Sequence, residues 1–171
     1  MLPACKPPPS DAAVARAANL PAAVGPSDPL ASPDVQGALW AVSGGPDRIV
    51  YGIPGQPVLV SLECLPGETG GKAPSLRMTR HAPADAGSGA LLALIGNGYI
   101  GRLEVDATPN EGRSQWQGRA EALDRVWEPL TGPREATVTV PGAGLVRLNP
   151  DPLPMQLVER CRERARPADR G

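Results

Sequence analysis

The sequence predicts a mainly β fold, an antiparallel β-sandwich or partly open barrel with one short internal helix and a C-terminal helix. Three observations carry that expectation. From residue 38 onward, apolar and polar residues alternate in short runs. Gly and Pro, 20 and 22 of them, punctuate those runs. Helical spacing of apolar residues takes over at only two places in this part of the chain.

Before residue 38 the chain is of another kind. Residues 1–37 hold eight of the 22 prolines and no aromatic side chain, so they bury too little apolar surface to offset the entropy of ordering. They are expected to be a disordered Pro/Ala-rich tether, stiffened by Pro7-Pro8-Pro9, with at most a short helix over Asp11–Asn19. Residues 38–165 form a single β-rich domain, and 166–171 a loose tail.

Ala38–Val42 and Arg48–Gly52 are the first strands, split by Ser43-Gly44-Gly45-Pro46. Pro57–Cys64 puts Val58, Val60, Leu62 and Cys64 on one face, with Ser61 and Glu63 opposite. Pro66–Ala73 is a glycine-rich loop. Ser75–His81 turns Leu76 and Met78 inward and Arg77 and Thr79 outward. Ala90–Ile95 and Tyr99–Val105 flank Asn97-Gly98, a strong hairpin signal. Arg113–Gly118 around Trp116 is a further strand. Leu123, Val126, Trp127 and Leu130 then follow the i, i+3, i+4, i+7 spacing of a short helix that Pro129 and Gly132 end. Ala136–Val140 and Leu145–Leu148 make another hairpin. Asp151 caps a last helix with Pro152 at its first position, and Leu157, Val158 and Cys161 share its apolar face.

Cys64 and Cys161 thus both point inward. A disulfide between them would span 97 residues and tie the last helix to the sheet; two buried free thiols are the alternative. A bridge implies an oxidising compartment. Leu2-Pro3-Ala4-Cys5 resembles the lipobox of bacterial lipoproteins, with Leu three places before the Cys and a small residue directly before it. Pro3 stands where that family prefers a small or β-branched residue. The resemblance implies a lipid on Cys5 and a place in the periplasm, with Lys6 compatible with sorting to the outer membrane. Residues 38–165, with their early Trp40, VSLEC strand end and LVERC helix, resemble uncharacterised proteobacterial envelope proteins.

The chemistry-bearing residues are sparse. The formal net charge of −1 lacks the basic excess of a nucleic-acid binder, so no nucleic-acid partner is expected. No apolar run nears the roughly 18 residues of a membrane span, so the membrane is reached only through the lipid anchor. Gly96-Asn97-Gly98-Tyr99-Ile100-Gly101 matches a dinucleotide fingerprint in letters, but a strand pattern follows it where that site needs a helix, and the turn accounts for its glycines. No cofactor, metal or catalytic residue is expected. His81, the only histidine, sits at an exposed strand end, and a triad drawn through Asp85 lacks a nucleophile signature. Arg160, Arg162, Arg164 and Arg166 read as a solvated helix end, interleaved with Glu159 and Glu163.

The expectation is a non-enzymatic cell-envelope protein, a binding or structural module with an unknown envelope protein partner. One alternative is an inhibitor-type module against a hydrolase such as lysozyme, using loops 66–74 and 82–89. The other is a hydrolase working through His81.

Overall fold

In the computed structural model, which describes residues 26–68 and 71–166, the alternating runs join into one mainly β sheet. Among these residues there are nine strands: β1 Leu39–Val42, β2 Arg48–Gly52, β3 Val60–Leu65, β4 Ser75–Pro83, β5 Gly89–Gly96, β6 Tyr99–Asn110, β7 Arg113–Glu121, β8 Ala136–Thr139 and β9 Leu145–Leu148. All neighbours are antiparallel, in the order β1-β2-β3-β4-β7-β6-β5-β8-β9, and the sheet curls into a nearly closed barrel. The inner face takes Ile49, Val60, Leu62, Leu76, Met78, Leu92, Leu94, Val138 and Val146, as their alternation demands. Asn149 links the two ends of the sheet: its backbone N–H donates to the Tyr51 hydroxyl at 3.1 Å and its side chain to the Ala38 carbonyl at 2.7 Å.

Several strands depart from their expected bounds, among them β7, which runs on to Glu121 instead of stopping at Gly118. β3 begins at Val60, which leaves Val58 half-buried outside it. β4 runs on to Pro83, so the connection to β5 shrinks to residues 84–88. β6 does not stop at Val105. It pairs with β5 through Asp106, then changes partner and pairs with β7 from Asp106 to Asn110, making the corner of the barrel. Gly118 faces this corner; a Cβ there would lie 2.3 Å from the Glu104 carbonyl oxygen. The two-residue turn that follows, Glu111-Gly112, has both residues at positive φ.

The internal helix is a 3₁₀ turn, Arg125–Leu130, capped by Asp124 accepting from the Val126 N–H. Val126, Trp127 and Leu130 are buried, whereas Leu123 lies before the turn and is exposed. The turn lies against β6 so closely that a Cβ on Gly101 would meet the Val126 carbonyl at 2.2 Å. Turn geometry therefore accounts for Gly98, at φ +77°, but Gly101 is required by packing.

The closing helix, α1 (Pro152–Ala165), starts as expected with the Asp151 side chain accepting from Leu153 N–H at 2.8 Å. Cys161 forms the disulfide with Cys64, Cα to Cα 5.7 Å. The arginines of its last turns are not simply solvated, because the sheet end and the 3₁₀ turn offer acceptors within reach. Arg162 is buried and donates to Glu128 at 2.9 Å, Glu159 at 3.2 Å and the Ala122 carbonyl at 3.1 Å. Arg164 pairs with Asp47 at 2.8 Å, and Arg160 donates to the Pro46 carbonyl at 3.0 Å. The Arg164 hydrogen bond holds the Asp47 carboxyl below its ordinary range. No helix among the described residues is long and apolar enough to cross a membrane.

Residues 26–37 carry no strand or helix, yet they lie on the domain. Leu30 N–H donates to Gly142 O at 2.8 Å, Leu145 N–H to Ser32 Oγ at 3.0 Å, and Ser27 N–H to Asp85 Oδ2 at 2.9 Å. The expected Asp11–Asn19 helix and Cys5 lie outside the described residues.

Candidate functional site

Cross-strand partners in an antiparallel sheet share a side, and residues two apart on a strand share it too. On the outer face of β2-β3-β4-β7-β6 that rule assembles polar rows. One row runs Arg48–Glu63–Arg77–Arg119. The next runs Val50–Ser61–Thr79–Gln117–Asp106. Beyond them His81 stands with Gln115 and Thr108. The end of the β6–β7 hairpin, Thr108–Asn110, walls one side, and the rows floor a cleft of about 300 Å³.

The side chains of this cleft hold one another in place. Gln117 Nε2 donates to Thr79 Oγ1 at 3.1 Å, and Asn110 Nδ2 to Gln115 Oε1 at 3.1 Å. Arg77 donates to the Glu63 carboxylate. Ser61 Oγ and His81 Nε2 are 2.9 Å apart. His81 follows Arg77 and Thr79 outward by alternation along β4, and the β4–β7 register shifts between Arg80 and Pro83, where Pro83 has no N–H to offer the ladder. His81 is therefore half-buried in the cleft rather than exposed at a strand end. Burial depresses the imidazole pKa, the Arg48 charge depresses it further, and a hydrogen bond with Gln115 partly opposes them. At neutral pH the ring is uncharged and its bare nitrogen can accept the Ser61 hydroxyl proton.

This pairing resembles the start of a nucleophile relay, but the surroundings do not complete one. Ser61 is 6% exposed at the second position of β3, with β2 and β4 paired on either side, so the nearby backbone N–H groups belong to the ladder rather than to an oxyanion. Asp85 takes its hydrogen bonds from Ser27, which hold its carboxyl below the ordinary range. Among the described residues no group of three His, Cys, Asp or Glu side chains is placed to hold a metal.

Arg80, one residue before His81, faces the other way. It is buried beneath the cleft and donates to the Leu59 carbonyl at 3.1 Å and the Ala143 carbonyl at 2.9 Å, while its Nε has no partner. Burial without a counter-charge lowers its pKa to about 10. It fastens β4 to the β8–β9 turn. Alternation in the sequence already separates Arg77 from Arg80, but it does not show that the outward residues of five strands meet. Trp127 is core, its Nε1–H donating to Glu121 O at 3.0 Å. No protein-family model, curated protein or solved structure matches the chain.

Proposed function

We propose that the protein is a non-enzymatic binding module of the bacterial cell envelope, lipid-tethered through Cys5 in the periplasm, and that the polar cleft takes its ligand. The carrying observation is the set of cross-strand rows whose hydroxyl, amide and guanidinium groups are already hydrogen-bonded to one another, since a preorganised polar site loses little entropy on binding. The Cys64–Cys161 disulfide supports an oxidising compartment, and Leu2-Pro3-Ala4-Cys5 supports the tether. Fractionation of cells, with mass analysis of the N-terminal peptide, tests the location: a lipid-bearing Cys5 in the membrane fraction is expected, and an unmodified Cys5 in the cytoplasm overturns it.

A second reading rests on the Ser61–His81 contact, which favours a hydrolase. It requires that Ser61→Ala abolish hydrolysis of activated esters. The binding reading expects no ester turnover above background in either protein.

A further inference from the structure

The charges in the cleft do not cancel. Glu63 lies between Arg48 and Arg77 in its row, but its carboxylate is committed to Arg77. Arg48 forms no ion pair among the described residues; its side-chain hydrogen bond goes to Ser43 Oγ at 3.1 Å. Two guanidinium groups against one carboxylate leave a single uncompensated positive charge, half-buried at one side of the cleft. A guanidinium carries five N–H donors in a planar fork that suits carboxylate and phosphate oxygens. Its charge is also felt at His81. Across the floor, Gln117 Oε1 and Asn110 Oδ1 accept no hydrogen bond among the described residues, so they are open to hydroxyl donors. Among the described residues no Phe, Tyr or Trp side chain lines the cleft, and its one ring, the His81 imidazole, is held by Ser61. A volume of about 300 Å³ suits a small molecule rather than a polymer segment.

We infer that the cleft takes a small ligand with one oxyanion, a carboxylate or a phosphate, on a hydroxyl-bearing body, and that Arg48 anchors the oxyanion. This rests on the reading of the cleft as the binding site. The test is an NMR titration of the full chain with three probes of similar size: glucuronate, glucose 6-phosphate and glucose. At least one charged probe is expected to shift the Arg48 side-chain Nε–H together with the amides of Ser61, Thr79 and Gln117. The charged probe that binds more tightly tells carboxylate from phosphate. Glucose is expected to bind at least about tenfold more weakly, and Arg48→Gln to weaken the charged probe by a similar factor. Arg48→Lys keeps the charge without the fork and should fall between the two. Glucose binding as tightly as the charged probes, or both Arg48 variants binding like the parent, would overturn the oxyanion inference and leave the cleft as a site. If no probe moves any cleft residue, both readings fall.

Discussion

The outer face of the sheet has two halves of opposite character. Over β2, β3, β4 and β7 the outward residues are mostly Arg, Glu, Ser, Thr, His and Gln, with Val50 an apolar exception, and many are half-buried or buried. Over β5, β8, β9 and the first part of β6, the outward rows are Arg147–Thr137–Ile95–Ile100 and Leu145–Thr139–Ala93–Arg102. There Ile100 is 58% and Leu91 53% exposed. Polar groups are thus sheltered on one half and apolar groups wetted on the other. An outer face is free of the core's demand for apolar side chains, so its composition reports use rather than folding. The sheltered half is the one with hydrogen bonds to organise.

The halves also differ in what lies behind them. α1 packs on β1 to β4 and the 3₁₀ turn, through the Cys64–Cys161 bridge. Reduction of that bridge should have the largest effect, up to about 4–5 kcal/mol in the chain-entropy account of a loop this long. Native-state hydrogen exchange on reduced protein, or on Cys161→Ser, should quicken in β2–β4 before β5 and β8. Equal acceleration throughout would mean that the two halves open as one unit, and the contrast would be confined to their surfaces.

The joint between the halves is the β6 corner, which Gly118 permits. Gly118→Ala should cost about 1–3 kcal/mol by overpacking, read as a lower urea midpoint at unchanged slope. A neutral substitution would show that β6 yields easily where it changes partners.

A gentler test uses acid. His81 has a folded pKa depressed below the usual 6.5, so between those two values the unfolded chain binds more protons than the native one. Stability should therefore fall as pH drops below about 6.5 and stay level above it. In His81→Gln this slope should vanish above pH 5, where the carboxylates do not yet contribute. Thermal midpoints at pH 5.5 and 7.5 decide the matter, and a parent slope that survives in the variant would place its origin outside the cleft. Smallest of all, Ile100→Ser on the other half should change stability by less than about 0.5 kcal/mol. A larger loss would reveal that the exposed face is packed in solution.

Much of this fold is legible in the sequence because the inner face obeys one rule. Val60, Leu62, Cys64, Leu76 and Met78 announce their strands by alternation, and Asp151-Pro152 announces the last helix. The end of β6 is hidden because Asp106–Asn110 hold no large apolar residue and include Pro109, and only Glu111-Gly112 signals the turn. The cleft was hidden for another reason. Ser61, Thr79 and Gln117 can each be read as outward-facing, but which outward residues meet depends on β4 pairing with β7 across an intervening hairpin. His81 follows Thr79 outward by the same alternation, but the neighbours it meets there, Gln115 and the Thr108–Asn110 wall, come from the β6–β7 hairpin.

The position of the disulfide in the chain also has a chronology. A polypeptide is made from its N-terminus, and its parts can begin to fold as they emerge. Cys64 is synthesised 97 residues ahead of its partner, so for most of the time the chain is being made the only other cysteine within it is Cys5. On the proposal that Cys5 is acylated, modification ahead of oxidation would remove that wrong partner before Cys161 arrives. The proposed lipid would then act as a thiol-protecting group as well as an anchor.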